Sequence, residues 1–381
     1  MMFKRFILVA IASVLAINTY SQVVFVLDSL PLNTPPTDTI FMTSSLNSWN
    51  PHDIEYAFNI DKSGRRYLTL DPTRDTFEFK ICRGSWQSIE INADGTDIGN
   101  RYFAKGTSDT VYLNIKTWRD FVPKKQMAST ASKSVRFLPT IFEIPQLNRK
   151  RTIRLYLPPN YSTGGLFPVI YMHDGQNIFD NATSFAGEWK VDEILDSLHT
   201  YNGFSAIVVG IYNDDKERIK EYLPWKNDSL GLDSEGDKYV KFIVNTLKPF
   251  IDRHYRTRSD RENTAIIGSS MGGLISLYAA LEYPDVFGKA AIFSPSIWIA
   301  PKLNIYLQKY KRKKIQHLYF LAGEKESDQM ITDLNKTLEL LKKSGFDDEY
   351  YMKTKIAPDG RHAEWFWSRE FGEAIKYLFK F

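Results

Sequence analysis

The amino-acid sequence predicts two folded regions, a small all-β immunoglobulin-like sandwich and a larger α/β region with a mostly parallel sheet. Between residues 23 and 118, short β-forming runs are separated by clusters of Asn, Asp, Gly and Pro, a pattern typical of a sandwich. After residue 134, strand-like and helix-like segments alternate, and parallel strands require such crossover helices. The length of 381 residues and the apolar fraction of 43% are sufficient for two packed cores.

Residues 1–22 have the pattern of a cleavable signal peptide, in which Lys4 and Arg5 precede an apolar run from 6 to 16 and a short polar stretch. The run is shorter than the roughly 20 apolar residues that span a bilayer, so a retained anchor is the weaker alternative. We therefore expect a secreted or periplasmic protein with no stable membrane anchor after removal of the leader. Its single cysteine, Cys82, cannot form an intrachain disulfide.

The charges of the chain are nearly balanced, with 49 basic and 45 acidic residues. Nucleic acid is therefore not expected as a partner, because domains that bind it carry a clear excess of positive charge. One short basic run, residues 311–314, is expected to be the solvated end of a surface helix rather than a phosphate-binding patch.

The strands of the predicted sandwich lie between turn-forming residues. They are residues 39–42, 67–70, 77–80 and 111–115. Residues 119–134 lack apolar periodicity and contain several small polar residues, so we predict a linker there. The α/β domain then extends from residue 135 to residue 381.

The elements of the α/β domain are predicted from buried apolar runs and from helical periodicity. The strands are residues 152–157, 168–172, 205–210, 264–267, 289–293, 317–321 and 351–356, and the main helices are residues 237–254, 271–282 and 327–343. This alternation predicts a sheet that is covered by helices on both faces.

The turn between one predicted strand and the next helix has the sequence Gly-Ser-Ser-Met-Gly, residues 268–272. In a nucleophile elbow, small residues on both sides permit a strained turn that raises the central serine above the sheet. The motif alone could be a tight turn with a capping serine, but its position between strand and helix favours catalysis. We predict Ser270 as the nucleophile of an α/β-hydrolase fold.

A serine nucleophile needs a general base, and the chain contains six histidines. In this class of site the base comes last in the chain, on a loop before the final helix. His362 occupies such a loop and is the predicted base, with an ordinary polar residue at a helix start as the alternative.

The acid that orients this histidine is expected between the nucleophile and the base. The loop after the strand 317–321 contains three candidates, Glu324, Glu326 and Asp328. Glu326, three residues after the turn glycine, is preferred, and an acid at either of the other two positions could instead flank or cap the following helix.

The oxyanion formed during acyl transfer needs preorganised backbone donors. The residue after the nucleophile, Met271, supplies the first N–H, and the loop after an early strand supplies the second. In that loop Gln176 is the predicted donor, and Gly175 is expected to permit an unusual backbone conformation.

From about residue 135 to 381 the chain resembles the bacterial "putative esterase" family. This family includes esterase D, the feruloyl and acetylxylan esterases of carbohydrate esterase family 1, enterochelin-type siderophore esterases and mycolyltransferases. The matching motifs are residues 155–159, 171–177, 187–189, 221–224, 268–273, 293–296 and 360–365. The resemblance implies a triad of Ser270, an acid and His362, and neither a metal nor an organic cofactor. Many relatives have an Asp in the acid loop, where this chain has Gly-Glu-Lys-Glu at 323–326.

Residues 23–118 resemble a starch-binding or glycogen-binding β-sandwich through the motifs at 46–51 and 79–86. Such a resemblance implies that Trp49 and Trp86 stack on sugar rings. The alternative is that both tryptophans are core residues, as large aromatics in small sandwiches usually are.

Further residues are predicted on the carboxyl edge of the α/β sheet, where ligands bind in open folds. They are His173, Trp189, Trp298 and Trp365, which are expected to contact the substrate, with ordinary packing as the alternative for each. Arg218 and Glu221 are predicted to form an ion pair that braces a loop, with a substrate contact through Arg218 as the second interpretation.

The sequence therefore favours an exported serine esterase that acts on acylated carbohydrate, of the acetyl or feruloyl ester type. A siderophore trilactone esterase is the alternative within the enzyme class. A catalytically idle glycan-binding protein is the alternative outside it. The expected partners are a small-molecule or polysaccharide ester and, for the N-terminal region, a glycan.

Overall fold

The computed structural model describes residues 22–47, 49–72, 75–106, 108–122, 128–139 and 141–381, apart from the side chain of Asp328. The predicted signal peptide, except for its last residue, lies outside the described residues. The chain divides into two compact units, Met1–Lys125 and Gln126–Phe381. The division falls inside the segment predicted as a linker.

The first unit is β-rich. Its strands are β1 Val23–Ser29, β2 Phe41–Ser44, β3 Asn59–Ile60, β4 Arg66–Leu70, β5 Thr76–Cys82, β6 Glu90–Ile91, β7 Arg101–Ala104, β8 Thr110–Asn114 and β9 Thr117–Trp118. Short 3-10 helices lie at Ile54–Tyr56, Trp86–Ser88 and Arg119–Phe121. The strands form sheets in the orders β3-β4-β1-β8, β2-β5-β7 and β6-β9.

Two of these sheets enclose one aromatic core. Phe25 of β1 is fully buried, and its ring lies 5.4 Å from that of Phe79 on β5 and 5.6 Å from that of Phe103 on β7. Phe77 and Phe79 point to the same side because side chains alternate along a strand. Trp118 closes the core and donates from its indole N–H to Thr34 Oγ1.

The second unit contains the remaining elements. Its strands are β10 Val135–Phe137, β11 Phe142–Ile144, β12 Arg149–Arg151, β13 Ile153–Tyr156, β14 Val169–Met172, β15 Ile207–Ile211, β16 Thr264–Ser269, β17 Lys289–Phe293, β18 His317–Gly323 and β19 Met352–Ala357. Its helices are α1 Val191–Asn202, α2 Arg218–Tyr222, α3 Gly236–Phe242, α4 Lys248–His254, α5 Met271–Glu282, α6 Lys302–Lys309, α7 Asp328–Lys343 and α8 Glu364–Phe379. Short 3-10 helices lie at Asp228–Leu230, Arg261–Asn263 and Ile297–Ile299.

Eight strands form the main sheet in the order β10-β13-β15-β14-β16-β17-β18-β19. The pairs β10–β13 and β13–β15 are antiparallel, and every pair from β15 to β19 is parallel. Every residue of the four central strands β15, β14, β16 and β17 is buried, as expected for a sheet with helices on both faces. The predicted α/β fold with a mostly parallel sheet after a β-rich region is confirmed.

The helix predicted at residues 237–254 is interrupted. A π-helical turn, Ile243–Leu247, separates α3 from α4. Pro249 follows this turn at the start of α4 and has no backbone N–H to donate to the preceding turn. The chain therefore changes its hydrogen-bond spacing just before the proline.

Residues 128–134 belong to the second unit, although they were predicted as part of the linker. Ser129 Oγ and the Thr130 N–H donate to the Asp180 carboxylate at 2.7 Å and 3.1 Å. The Ser132 N–H donates to Asp192 Oδ2 at 2.7 Å. Small polar residues here serve as donors to buried carboxylates, which is why they lack apolar periodicity.

Within the part of the chain that the structure describes, no helix combines the length and the apolar character needed to cross a membrane.

Candidate active site

Ser270 lies at the carboxyl edge of the sheet, between β16 and α5. Its backbone has φ 58° and ψ −123°, a conformation that residues other than glycine rarely adopt. The Ser270 N–H donates to Phe293 O of the neighbouring strand at 2.9 Å, and its carbonyl accepts from Leu274 N at 3.1 Å. Hydrogen bonds on both sides thus hold a strained turn, as a nucleophile elbow requires.

The glycines of the motif are explained by close backbone contacts. A Cβ at Gly268 would lie 2.6 Å from the Gly272 carbonyl carbon, and one at Gly273 would lie 2.9 Å from Phe293 O. Strand β16 and helix α5 therefore cross at the elbow with no room for a side chain between them.

Glu326 and His362 meet on two adjacent loops, which follow β18 and β19. His362 Nδ1 lies 2.8 Å from Glu326 Oε2, and the Glu326 side chain is only 2% exposed. The loops can approach because each has a glycine at the contact, and a Cβ at Gly323 would lie 2.2 Å from the Gly360 backbone. This geometry gives a histidine oriented by a buried carboxylate.

A second set of hydrogen bonds fixes the other oxygen of Glu326. Ser294 Oγ donates to Glu326 Oε1 at 2.6 Å, and the Gly323 N–H donates to the same oxygen at 2.7 Å. Trp367 Nε1 donates to Ser294 Oγ at 2.9 Å. The carboxylate of Glu326 therefore accepts hydrogen bonds from three groups in fixed positions, including His362 Nδ1.

Of the three candidate acids, the structure places Glu326 against His362. Glu324 is exposed, and its backbone N–H donates to Ala357 O. Asp328 is the first residue of α7, and Ser327 caps that helix by accepting from the Met330 N–H at 3.1 Å. The position three residues after the turn glycine is thus the one that folds back toward the histidine.

Ser296 is a site residue to which sequence reasoning assigned no role. Its hydroxyl lies 3.1 Å from Ser270 Oγ, and its N–H donates to Ser270 O at 3.1 Å. Ser294 and Ser296 follow β17, the strand beside the nucleophile strand. Their position at the carboxyl end of that strand is the signal that could have identified them.

The backbone N–H groups of Met271 and Gln176, which were predicted as the oxyanion donors, donate to no acceptor among the described residues. Met271 is the first residue of α5, whose initial N–H groups have no partner within the helix. The Gln176 side chain is held in place because its Oε1 accepts from Asn213 N at 3.1 Å. Both N–H groups can therefore serve an oxyanion.

Gly175 was predicted to permit an unusual backbone conformation at the oxyanion site, and its own N–H donates to Ile211 O at 2.8 Å. The unusual backbone lies one residue earlier, because Asp174 has φ 55°. A Cβ at Gly175 would lie 2.7 Å from the Gly210 carbonyl carbon. Gly175 is needed for the close approach of its loop to β15.

His173 was predicted to contact the substrate, but it is a buried residue beneath the elbow, only 2% exposed. Its Nδ1 lies 2.9 Å from the Tyr239 hydroxyl, and its ring packs against Gly268 and Gly272. Burial lowers the pKa of His173 to about 4, so the imidazole is neutral and supports the turn by packing.

The tryptophans predicted at the pocket divide into two groups. Trp189 is a core residue, because its ring stacks on Phe293 at 5.4 Å and contacts Trp367 and Phe371, so its prediction as a substrate contact is wrong. Trp298 is partly buried two residues after Ser296. Trp365 is 48% exposed and lies three residues after His362. The latter two can still contact a ligand.

The ion pair predicted between Arg218 and Glu221 does not form. Arg218 instead binds Asp174 through Nε at 2.7 Å and Nη2 at 2.8 Å. Glu221 is fully buried and accepts from Arg149 and Arg151. Both residues of the predicted pair brace loops, but each does so with a partner on another element that is distant in sequence.

Glu364 is a further carboxyl group at this edge, two residues after His362. Its Oε1 accepts from Asn177 Nδ2 at 3.3 Å, and Gly187 packs against its side chain. Burial raises the pKa of Glu364 to about 8, and the nearby Asp174 adds to the effect while His362 and Arg218 oppose it. The group can therefore carry a proton near neutral pH.

Among the described residues, one cluster of carboxylates has the spacing to hold a cation. Oxygens of Glu188, Asp192 and Glu193 lie within 4.8 Å of one another. Thr130 Oγ1 donates to Glu188 at 3.0 Å and Ser132 N donates to Asp192, so these acids already hold residues 128–134. Burial and the adjacent Asp192 raise the pKa of Glu193 to about 7, which relieves part of the repulsion.

In the first unit, the rings of Trp49 and Trp86 lie side by side. Their centroids are 6.4 Å apart with an interplanar angle of 35°, and Trp86 is 39% exposed. Trp49 has φ 58°, which is rare for a large side chain. The pair lies outside the aromatic core of the unit.

Known proteins resemble the second unit in sequence and in structure. The family model described as "Putative esterase" matches residues 144–371. The uncharacterised protein YjcH of Bacillus subtilis is 31% identical over 250 residues, which are 61% of this chain and 93% of that protein. The endo-1,4-beta-xylanase/feruloyl esterase of Xylanibacter ruminicola is 26% identical over 241 residues, 61% of this chain and 30% of that protein.

A solved structure of the enterobactin esterase from Shigella flexneri covers 94% of this chain and 92% of its own, with a TM-score of 0.54 and 15% identity. At that identity the likeness shows the fold alone, which is that of an α/β-hydrolase. The family match covers more than half of the chain, and it begins before the elbow and ends beyond the histidine loop. The protein therefore belongs to the esterase family and is a carboxylic ester hydrolase.

Proposed function

We propose that the protein is a serine esterase that acts through an acyl-enzyme intermediate on Ser270. The observation that carries the proposal is the contact between Glu326 and His362 Nδ1, made on the loops that follow β18 and β19. The strained conformation of Ser270 at the same edge of the sheet supports it. Glu326 fixes the tautomer in which Nδ1 carries the proton and Nε2 is basic.

In the proposed reaction His362 Nε2 accepts the proton of the Ser270 hydroxyl as Oγ bonds to the ester carbonyl carbon. The carbonyl oxygen becomes an oxyanion and accepts hydrogen bonds from the N–H groups of Met271 and Gln176. The carbon–oxygen bond to the alcohol then breaks, and the alcohol leaves with the proton from His362. Water repeats the sequence on the acyl-enzyme, which releases the acid and restores the serine.

The mechanism is tested by turnover of p-nitrophenyl acetate. Ser270→Ala is expected to lower kcat by several orders of magnitude, because the acyl acceptor is lost. Ser269→Ala is the matched control, since the neighbouring serine ends β16 and should keep nearly full activity. Turnover that survives in the Ser270→Ala variant would refute the mechanism, whereas a lack of turnover by the unaltered protein would favour a catalytically idle glycan-binding protein.

For the substrate we propose an ester of a carbohydrate, of the acetyl or feruloyl type. A feruloyl esterase is among the relatives in sequence, and Trp298 and Trp365 supply aromatic surface near the histidine and the nucleophile. The alternative is a siderophore trilactone, because an enterobactin esterase shares the fold. Arg218 is bound by Asp174 through two hydrogen bonds, which leaves it a poor ligand for a catecholate.

A panel of acetylated xylan, a feruloylated arabinose ester and enterobactin decides between these substrates. We expect kcat/KM for one of the carbohydrate esters to exceed that for enterobactin by at least tenfold. The reverse order would replace the carbohydrate proposal with the siderophore one, while Ser270 would keep its role in either case.

We further propose that the Trp49 and Trp86 pair binds glycan. The partly exposed, adjacent rings and the rare backbone conformation of Trp49 support a preformed stacking surface. Full-length Ser270→Ala protein should bind an insoluble polysaccharide such as starch or xylan, and Trp86→Ala should weaken that binding. Equal retention of both proteins would assign the pair a structural role.

Export is proposed from the sequence pattern of residues 1–22. Cleavage of the leader is measured by N-terminal sequencing of the protein that is recovered from outside the cytoplasm of the cells that produce it. A mature chain that starts near residue 23 is expected, and an intact leader would contradict cleavage.

A further inference from the structure

The sequence predicted that the basic run at residues 311–314 is the end of a surface helix. In the structure the run lies in a loop. Helix α6 ends at Lys309, and the loop that follows leads into β18. This loop lines a cavity of about 450 Å³, which we name the basic cavity. Its lining residues are Glu282, Tyr306, Lys309, Tyr310, Lys311, Arg312 and Lys313.

Two buried donors on this lining have no acceptor among the described residues. Tyr310 is only 6% exposed, and its hydroxyl makes no hydrogen bond. Arg312 Nη1 is likewise buried without a partner. A buried donor left unsatisfied costs about 1–3 kcal/mol, and a ligand that brings an acceptor to these two groups would recover that free energy.

The guanidinium of Arg312 is held in place independently of any ligand. It lies 3.8 Å from the ring centroid of Tyr351 and 5.5 Å from that of Phe346. The backbone of the same residue is also fixed, because the main-chain N–H of Arg312 donates to Ser344 O at 2.9 Å. A stacked guanidinium with free donor edges is the arrangement that proteins use for phosphate and sulfate groups.

The charge of the cavity is strongly positive. Four cations and a single acid, Glu282, line it. None of the four forms an ion pair with a described carboxylate, whereas Lys314 just outside the lining pairs with Asp285 at 3.0 Å. An uncompensated cluster of this kind attracts an anion.

Tyr310 is able to act as a donor to that anion. Burial raises the pKa of its hydroxyl to about 12, with a further contribution from Glu282 and an opposing one from Arg312. The hydroxyl therefore keeps its proton at neutral pH. A neutral hydroxyl beside a guanidinium can bind an oxyanion without adding repulsion.

We propose that the basic cavity binds a tetrahedral dianionic group, a phosphate or sulfate, through Tyr310, Arg312 and the surrounding lysines. The cavity has the volume of a site for a small organic molecule, which leaves room beside the anion for a sugar ring against Tyr306. The ligand is thus either a phosphorylated or sulfated saccharide or the free inorganic anion, since both present the same oxyanion.

The basic cavity is separate from the active site. Helix α5 starts beside Ser270 at the carboxyl edge of the sheet and ends at Glu282 on the cavity lining. Its 12 residues span about 18 Å. Binding in the cavity therefore does not depend on the proposed ester chemistry, and the two proposals can fail independently.

Calorimetric titration of the full-length protein with inorganic phosphate, sulfate and glucose 6-phosphate, at constant ionic strength, tests the proposal. Saturable binding is expected, and Tyr310→Phe should weaken it about tenfold, because a hydrogen bond to a charged group is lost. Lys313→Gln should weaken it severalfold. Lys336→Gln, which removes an exposed lysine of α7 outside the lining, should bind as the unaltered protein does.

The two ligand sources give different results. A glucose 6-phosphate affinity well above that of phosphate assigns a saccharide ligand, and equal affinities assign the free anion. Absence of saturable binding by all three probes would overturn the proposal, as would an unchanged affinity in Tyr310→Phe with an unaltered melting temperature. Turnover of p-nitrophenyl acetate by Tyr310→Phe should remain normal throughout.

Discussion

Replacement of Glu326 by Gln should abolish the basic tautomer of His362 while it preserves the shape of the site. Glu326 Oε1 accepts from Ser294 Oγ and the Gly323 N–H, and Oε2 faces His362 Nδ1. A glutamine has one acceptor oxygen and one NH2 group. If its oxygen faces the two donors, its NH2 group faces His362.

The expected loss of kcat in Glu326→Gln follows from the two possible orientations of the glutamine amide. Turning the oxygen toward His362 would leave the fixed Gly323 N–H facing an NH2 group, which costs about 1–3 kcal/mol. The amide therefore donates to Nδ1, the imidazole proton moves to Nε2, and His362 can no longer accept the proton of Ser270. A wrong tautomer of this kind lowers kcat by about four orders of magnitude in other serine hydrolases, or about 5.4 kcal/mol at 1.36 kcal/mol for each tenfold.

The assay is kcat for p-nitrophenyl acetate, with the melting temperature as a measure of folding. Glu324→Gln is the matched control, because Glu324 is exposed and should retain full activity. The reasoning is refuted if Glu326→Gln keeps more than about a tenth of kcat, well above the loss that a wrong tautomer causes. A comparable loss in Asp328→Asn with full activity in Glu326→Gln would move the role to that residue.

Three further predictions concern stability. The pKa of Glu364 is raised to about 8, so the folded state holds this proton more strongly than the unfolded state does. The contribution of Glu364 to stability is therefore full below the unfolded pKa and is lost as the pH rises to about 8. In urea unfolding, the free energy of unfolding of Glu364→Gln should fall less between about pH 5 and pH 8 than that of the unaltered protein. Gly323→Ala would place a Cβ 2.2 Å from the Gly360 backbone and should cost more than about 3 kcal/mol in the free energy of unfolding, and a cost below 1 kcal/mol would disprove the close contact. Trp189→Ala should lower the free energy of unfolding by about 3–5 kcal/mol, because a buried ring is removed. Trp365→Ala should change it by less than about 0.5 kcal/mol, and equal effects of the two substitutions would contradict the different burial of the two rings.

Local patterns were sufficient to predict most elements of the second unit. The strands β14, β16 and β17 are uniformly apolar, so their identity follows from composition, and the helix α5 follows directly from the glycine-rich turn. The prediction was least accurate where a single residue changes the hydrogen-bond pattern. Pro249 divides one predicted helix into α3 and α4 around a π-helical turn.

The partners of charged side chains were predicted poorly, because an ion pair depends on which elements lie together. Arg218 and Glu221 are one helical turn apart and were expected to pair, but Asp174 and Arg149 come from other elements and lie closer in the fold. Burial was equally hard to predict for single aromatic residues. Trp189 and Trp365 both lie near the edge of the sheet, yet only the packing of α8 distinguishes a core position from an exposed one.

The sequence by itself determined the α/β fold and the esterase family, and it gave the chain order of the proposed nucleophile, the acid loop and the histidine, because these depend on local composition and on motif order. Only the tertiary structure placed Glu326, which the sequence already favoured, against His362, added Ser294 and Ser296 to the site, and brought the 311–314 run onto a cavity. These features depend on loops that meet at a sheet edge across large separations in sequence. The contact between the acid loop and the histidine loop requires the close backbone approach of Gly323 and Gly360, which motif order along the chain does not show.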